Sequence, residues 1–279
     1  MPVITFWSNN KKAIGQTVSA AATATKMAME HNYKILLVSV DFMDRTIENC
    51  FGAQQSNQAI VKSIFSSPKQ VNFAAGVNGL IKMAQSNRVT PEIIKDYTKI
   101  VYKNRLEVLY STANEEIPFE EQLEYYKAII MNAARYYDYV IVDLKKGTEY
   151  KQVLEILNMS DVVVLNTEQG TESLTNFLAM PEMKDIIQKG KVLWNICRYD
   201  RKSKYNTKNL TRTIWKKQTV YAVPYNTLLF EACGEGGLAE LLFRLKTIKT
   251  EDSNLRTLNA LDQLSEGILV RYKEVQMRG

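Results

Sequence analysis

Within the first forty residues an apolar run, a polar turn, a helix-forming stretch and a second apolar run follow one another, and that order leaves few folds open. Val3-Ile4-Thr5-Phe6-Trp7 is short and β-rich, and Ser8 to Lys12 is polar. Thr17 to His31 is rich in Ala, with Ala and Met on the face expected to be buried, and Lys34 to Val40 is apolar again. Strand, turn, helix, strand is a βαβ unit, which implies parallel strands joined by right-handed crossovers.

The rest of the chain continues the alternation. Leu106-Glu107-Val108-Leu109-Tyr110 reads as a strand and Phe119 to Tyr136 as a helix, while Tyr139-Val140-Ile141-Val142 is the continuous apolar run of a central parallel strand. Val162 to Leu165, Lys191 to Asn195 and Thr219 to Val223 supply three more strands. Thr90-Pro91-Glu92 starts a helix, with Thr90 at the N-cap and Pro91 in the first turn. Leu238 to Leu245 reads as helix. So does the tail from Asn254, with Leu255, Leu258, Leu261, Leu264, Ile268, Tyr272 and Val275 at helical spacing. Between Ala53 and Glu124 helical and loop signals alternate.

Composition narrows the class of function. With 46% hydrophobic and 24% charged residues, the 279-residue chain can bury a full core. Its single histidine, His31, excludes a His-based triad or a His-rich metal site built from this chain alone. Cys50, Cys197 and Cys233 are odd in number and widely spaced, which fits reduced thiols and neither a disulfide framework nor a zinc site. Met1 to Trp7 runs straight into a strand without a signal-peptide pattern, and no apolar run approaches the roughly 20 residues of a membrane helix. The expected location is the cytoplasm, with attachment at the periphery of a membrane machine as the alternative.

Charge is local. Between Lys184 and Lys217 there are eleven Lys and Arg against Asp185 and Asp200, a balance of +9; the whole chain carries +6, so the remainder sums to −3. One basic surface is therefore expected rather than a basic coat. Arg198-Tyr199-Asp200-Arg201-Lys202-Ser203-Lys204-Tyr205 interleaves cations with tyrosines. Nucleic acid could use both, phosphates taking the charges and bases stacking on the rings. A solvated loop, an acidic protein partner or an anionic membrane would account for the same residues. The tail helix is expected to pack on its own domain, since Asp262, Glu266 and Glu274 dilute the basic face of a membrane-targeting helix.

The turn after the first strand is where chemistry is expected. A phosphate loop works because backbone N–H groups freed by glycines wrap the phosphates, a lysine neutralises them, and a Ser or Thr hydroxyl holds Mg²⁺. Here the turn reads Ser8-Asn9-Asn10-Lys11-Lys12-Ala13-Ile14-Gly15-Gln16-Thr17-Val18. Against the general motif, Asn10 stands at the first glycine and Gln16 at the lysine. Taken alone, it also reads as an ordinary strand-to-helix turn.

In its context the turn resembles the deviant Walker A loop of the MinD/ParA ATPases, Lys-Gly-Gly-x-Gly-Lys-Thr-Thr. In that register Lys11 matches the signature lysine, Gly15 the third glycine and Thr17 the Mg²⁺ ligand, while Lys12, Ala13, Gln16 and Val18 depart. Leu36 to Asp41 is similar to the family's strand ending in Asp-x-Asp, with Ser39 at the first aspartate and Asp41 at the second, catalytic one. Tyr137 to Asp143 resembles the Walker B segment, which implies Asp143 meeting Mg²⁺ through water; Leu144-Lys145-Lys146-Gly147 departs from the family's small and proline residues there. Ser160 to Leu165 matches the next core strand, and Val192 to Asn195 the strand whose final Asn contacts adenine. Val223-Pro224-Tyr225-Asn226 matches the turn lining the base pocket, and Glu231-Ala232-Cys233-Gly234 the helix after it. These matches run in order from Val3 to Leu245.

The resemblance implies an α/β fold, doubly wound, with a mostly parallel central sheet and helices on both faces. Residues 1–250 would form the P-loop domain, and 251–279 a C-terminal helix packed on it. It implies ATP and Mg²⁺ as ligands, bound weakly or not at all, at Lys11, Gly15, Gln16, Thr17, Asn195 and Pro224, with Thr17 and Asp143 toward the metal. Asp41 and Asp143 could instead cap following helices, and Asn195 could be a turn residue. Asp44 and Arg45 read as part of a solvated, switch-like loop. Gln16 brings no charge to the phosphates; Lys12 would restore some of it. The expected function is a positioning or scaffold protein that dimerises, binds a protein partner and hydrolyses ATP poorly. The alternatives are an active ParA-type ATPase cycling on DNA or membrane, and a pseudo-enzyme retained as a dimerisation partner. Gly79-Leu80-Ile81-Lys82 through Leu106-Glu107-Val108-Leu109 looks most like the TadZ or CpaE pilus-assembly branch. The receiver-like domain usual in that branch is not expected here, since the first strand opens the sequence.

Overall fold

The computed structural model describes residues 2–10, 12, 14–41, 43–52, 76–111, 116–147, 149–213, 219–247 and 252–278. Its centre is a sheet of eight strands: β1 (Val3–Trp7), β2 (Ile35–Ser39), β3 (Lys99–Tyr102), β4 (Leu106–Leu109), β5 (Tyr139–Asp143), β6 (Val162–Thr167), β7 (Val192–Tyr199) and β8 (Val220–Pro224). Across the sheet they run β3-β4-β2-β5-β1-β6-β7-β8, and every pairing is parallel except β3 with β4.

Strand periodicity divides the apolar residues between the two faces. Val3 and Trp7, Leu36 and Val38, Val140 and Val142 enter one core with the helices Phe119–Ala133, Lys151–Met159 and Thr171–Leu178. Ile4 and Phe6, Ile35 and Leu37, Ile141 enter the other, beneath α1 (Gln16–Glu30), α2 (Thr46–Phe51) and the last three helices, Thr227–Glu235, Leu238–Thr247 and Asp252–Gln276. The fold is therefore the expected α/β class, a mostly parallel sheet with helices on both faces.

Several boundaries differ from the sequence reading. The helix from Phe119 stops at Ala133 rather than Tyr136, because Arg135, Tyr136 and Tyr137 turn back onto Asn132 and Ala133 carbonyls to reach β5. β7 runs four residues past Asn195, paired with β8 to Tyr199. Thr90 holds the N-cap position ahead of Pro91, yet its side chain makes no capping bond and the helix is only Pro91–Ile94. β3 is an added edge strand. Most of the stretch between Phe51 and Val77 lies outside the described residues.

The topology places a site. From β1 the chain steps to β2 on one side; from β5 it steps over β1 to β6 on the other. Connections that diverge in this way open a crevice at the carboxyl ends of the strands between them, here β1 and β5.

Candidate functional site

β1 and β2 bring Phe6 and Ser39 level with Asp143 at the end of β5. α1 starts beside them. Its N-cap is Gly15, at φ 99 and ψ 14, a left-handed conformation open to glycine at little cost. Gly15 offers no side-chain cap, and the first turn of α1 holds no acid.

Gln16, the next residue, is 1% exposed and turned under the strand ends. Its Nε2 donates to Asp143 Oδ1 at 2.7 Å, the Leu144 carbonyl at 2.8 Å and the Phe6 carbonyl at 3.2 Å. Two amide hydrogens are thus shared among three acceptors. Its Oε1 is buried without a partner among the described residues. Burial pushes the Asp143 carboxyl up to about 7; the bonds from Gln16 and Thr17 pull the other way, Asp44 raises it again and Lys146 lowers it.

Thr17 Oγ1 donates to Asp44 Oδ2 at 3.3 Å, and Lys146 Nζ reaches the same oxygen at 3.2 Å. Burial raises the Asp44 carboxyl, but bonds from Thr46 and the Lys146 charge outweigh it and hold the group below its ordinary range. In the turn before α1, Asn10 N–H donates to Ser8 Oγ at 3.1 Å and Lys12 N–H to Asn10 Oδ1 at 3.0 Å.

A cavity of about 510 Å³ opens over these residues. Gly15, Gln16, Thr17, Lys146 and Arg198 line it with the carboxylates Asp44, Glu231 and Glu235 and the apolar Val223, Pro224, Leu229 and Phe230. Its size lies in the range of small-ligand sites, and cations beside an apolar wall suit a ligand with an anionic and a flat apolar part. Mg²⁺ fits less well. Asp143 Oδ1 is taken by Gln16, Thr17 is turned to Asp44, and the Lys146 ammonium already sits on that carboxylate.

Of the residues expected to act, Gly15, Gln16, Thr17 and Pro224 line the cavity, and Asp143 lies directly behind Gln16. Lys11 and Ala13 lie outside the described residues. Asp41 is partly buried, accepts from Met43 N–H at 3.1 Å and Lys145 Nζ at 3.4 Å, and does not line the cavity. Asn195 requires correction. It is fully buried within β7, donates to Asn166 Oδ1 at 2.9 Å, and is absent from the lining, because the strand continues past it to Tyr199. Lys12 is exposed and does not line the cavity. Asp44 is not a solvated loop residue; Arg45, with a side chain 76% exposed and paired to Glu48, is.

Sequence reasoning missed Lys146 and Arg198 as cavity residues. The run Leu144-Lys145-Lys146 after a strand-ending aspartate was a usable signal for the first. Arg198 gave none, because its place depends on a positive φ of 51 where the β7–β8 register shifts between Cys197 and Tyr199.

No protein-family model matches the sequence, and no curated protein does. Solved structures do match. A ParA family ATPase from Chlorobium tepidum superposes with a TM-score of 0.63 at 15% identity, over 93% of this chain and 98% of that one. A putative plasmid partition protein from Borrelia burgdorferi bound to AMPPNP gives 0.61 at 17% identity, over 94% and 97%. The septum site-determining protein MinD from Pyrococcus horikoshii, complexed with Mg-ADP, gives 0.64 at 12% identity, over 97% and 98%. This is the ParA/MinD fold. It spans nearly the whole chain, and within the ParA/MinD fold the cavity lies at the carboxyl ends of the central strands.

Proposed function

We propose that this chain is a MinD/ParA-like positioning or scaffold protein that binds nucleotide in the cavity beside α1, hydrolyses it slowly or not at all, and acts by dimerising and binding a partner. The observation that carries the reading is Gln16. At the place of the loop lysine stands a neutral amide committed to Asp143 and two backbone carbonyls, so it brings no charge to a phosphate undergoing transfer. The turn amides of Asn10 and Lys12 are already bonded within the loop, which weakens the cradle further. Support for a nucleotide comes from the cavity's lining and from the AMPPNP and Mg-ADP held by two proteins of the same fold.

On this reading residues 1–250 are the P-loop domain, with the helix of 251–279 packed on it. Gly15, Thr17 and Pro224 touch the ligand, and Asp143 supports the loop through Gln16. Tyr225, Leu228 and Phe230, 55%, 38% and 56% exposed beside the cavity, give apolar surface for a dimer or partner. Among the described residues no helix is long and apolar enough to cross a membrane. The narrower reading, a pilus-machine localiser, rests on the resemblance of residues 79–109.

The test is a titration of purified protein with labelled ATP, a solution mass measurement and a hydrolysis assay. Saturable binding with turnover no faster than background is expected. Clear turnover abolished by Asp41→Ala would favour the rival, an active ParA-type ATPase cycling on DNA or membrane.

A further inference from the structure

The cations of the cavity do not come from the phosphate loop. Lys146 follows β5, with a side chain 14% exposed, and its Nζ lies 3.2 Å from Asp44 Oδ2, the oxygen to which Thr17 also donates. A divalent ion at Thr17 would face that ammonium across one carboxylate, like charge against like. Mg²⁺ also demands near-octahedral oxygen ligands at about 2.1 Å, and Asp143 Oδ1 already accepts from Gln16.

Arg198 is the second. It adopts φ 51 where the β7–β8 register shifts between Cys197 and Tyr199, an irregularity that re-aims its side chain. A Cβ placed on Gly15 would lie 3.6 Å from Arg198 Cγ and 3.8 Å from Nε, so the arginine stem lies over the start of α1. It forms no ion pair among the described residues, and it is exposed within the cavity wall. Beneath it, α1 is 15 residues long, with neither an acid in its first turn nor a side-chain cap. Its first amides and the positive end of its dipole are thus left for an anion. Glu231 and Glu235 also line the cavity, on the helix Thr227–Glu235, and neither pairs with Lys146 or Arg198.

We propose that this cavity takes the phosphates of a nucleotide without a divalent metal, the Lys146 ammonium and the Arg198 guanidinium supplying the positive charge that Mg²⁺ and a loop lysine would otherwise bring. This rests on the nucleotide reading above, and it adds that the ligand is the free nucleotide anion rather than its magnesium complex. Gln16 and Asp143 are then a closed internal pair beneath the ligand.

The experiment is a calorimetric titration of the full chain with ATP, ADP and inorganic tripolyphosphate, each in excess Mg²⁺ and in EDTA. Apparent ATP affinity is expected to be higher in EDTA, by several-fold or more, since excess Mg²⁺ sequesters the anion that binds. Lys146→Met and Arg198→Ala should each weaken binding about tenfold, whereas Lys146→Arg should keep it within about threefold, with circular dichroism reporting that each variant is folded. ATP affinity that is equal or lower in EDTA overturns the proposal and leaves the nucleotide reading standing. So does unaltered binding in both charge-removing variants. Tripolyphosphate binding in EDTA without ATP binding would refute the nucleotide part alone. Absence of binding by all three probes in both buffers overturns both readings.

Discussion

At Asp143 a carboxylate is buried at the end of a central strand, with Gln16 Nε2 2.7 Å away as its closest donor. Its proton is held to about pH 7, against an ordinary value of 3.8. The unfolded chain gives up this proton first, so between about pH 4 and pH 7 the folded state binds more protons, and stability falls as pH rises. At about 1.4 kcal/mol per pKa unit, the loss is a few kcal/mol by pH 8. Asp143→Asn keeps an acceptor for Gln16 and removes the ionisation. Its denaturation free energy should be nearly flat across that window and exceed the parent's at pH 8 by roughly 2–4 kcal/mol. Parallel curves for the two proteins would show that the buried carboxyl carries no such penalty. Gln16→Lys asks the complementary question. An ammonium has three hydrogens for the three acceptors around Gln16 Nε2, so it should pair with Asp143 and stabilise the fold at pH 8. ATP turnover in a phosphate-release assay should stay at background, because the turn amides remain occupied.

At the scale of elements the C-terminal helix Asp252–Gln276 shows how packing sets what a residue is worth. Leu258, Leu261, Leu264 and Ile268 face the core at the spacing the sequence displays, while Leu255, 48% exposed, falls off the stripe. Lys26 of α1, nearly buried, pairs with Glu30 and Asp262 at 3.0 Å each and ties the helix down. Gly267 lies where the helix crosses β8: an added Cβ would come within 2.2 Å of Tyr221 Oη and 2.3 Å of its ring. Gly267→Ala gains about 1 kcal/mol of helix propensity, yet the overpacking costs roughly 1–3 kcal/mol. A fall of a few degrees in Tm is expected. In a Tyr221→Leu background the same change should raise Tm, and a rise in both backgrounds would contradict the close approach. The apolar runs of β1, β2, β5 and β6 were legible because strands covered on both faces need continuous hydrophobics. β3 was not: Lys99 to Tyr102 is a partly exposed edge strand paired on one side only, and its hairpin turns through Asn104 at φ 61. The end of β7 escaped for a related reason, since Arg198 and Tyr199 are polar-tipped residues in a strand whose outer end meets a cavity.

Over the whole molecule, sequence order made the parallel sheet readable, but charge read along the chain did not give charge in space. Arg198 counted toward the basic segment, and the fold assigns it to the cavity. What remains outside is Arg201, Lys202 and Lys204, exposed on a loop that Gln169 holds by accepting from Asp200 N–H and donating to the Asp200 and Tyr205 carbonyls. Lys204 lies over the Tyr205 ring, 5.0 Å from its centroid, which occupies one face that a base would need. Three cations beside Asp200 make a small footprint for a duplex, and the chain outside residues 184–217 is net acidic, which repels a long polyanion. We therefore expect this loop to dock an acidic protein surface, with salt acting mainly on association rate. DNA contact would make a different signature: each phosphate neutralised adds close to one unit to the slope of log affinity against log salt. Fluorescence anisotropy with random duplex DNA at low salt separates the two. Binding weaker than about 10 μM, unchanged by Arg201→Ala with Lys202→Ala, is the expected result. Sub-micromolar binding that the double variant weakens, with a salt slope reduced by about two, would assign the loop to DNA and with it strengthen the rival reading of a ParA-type ATPase.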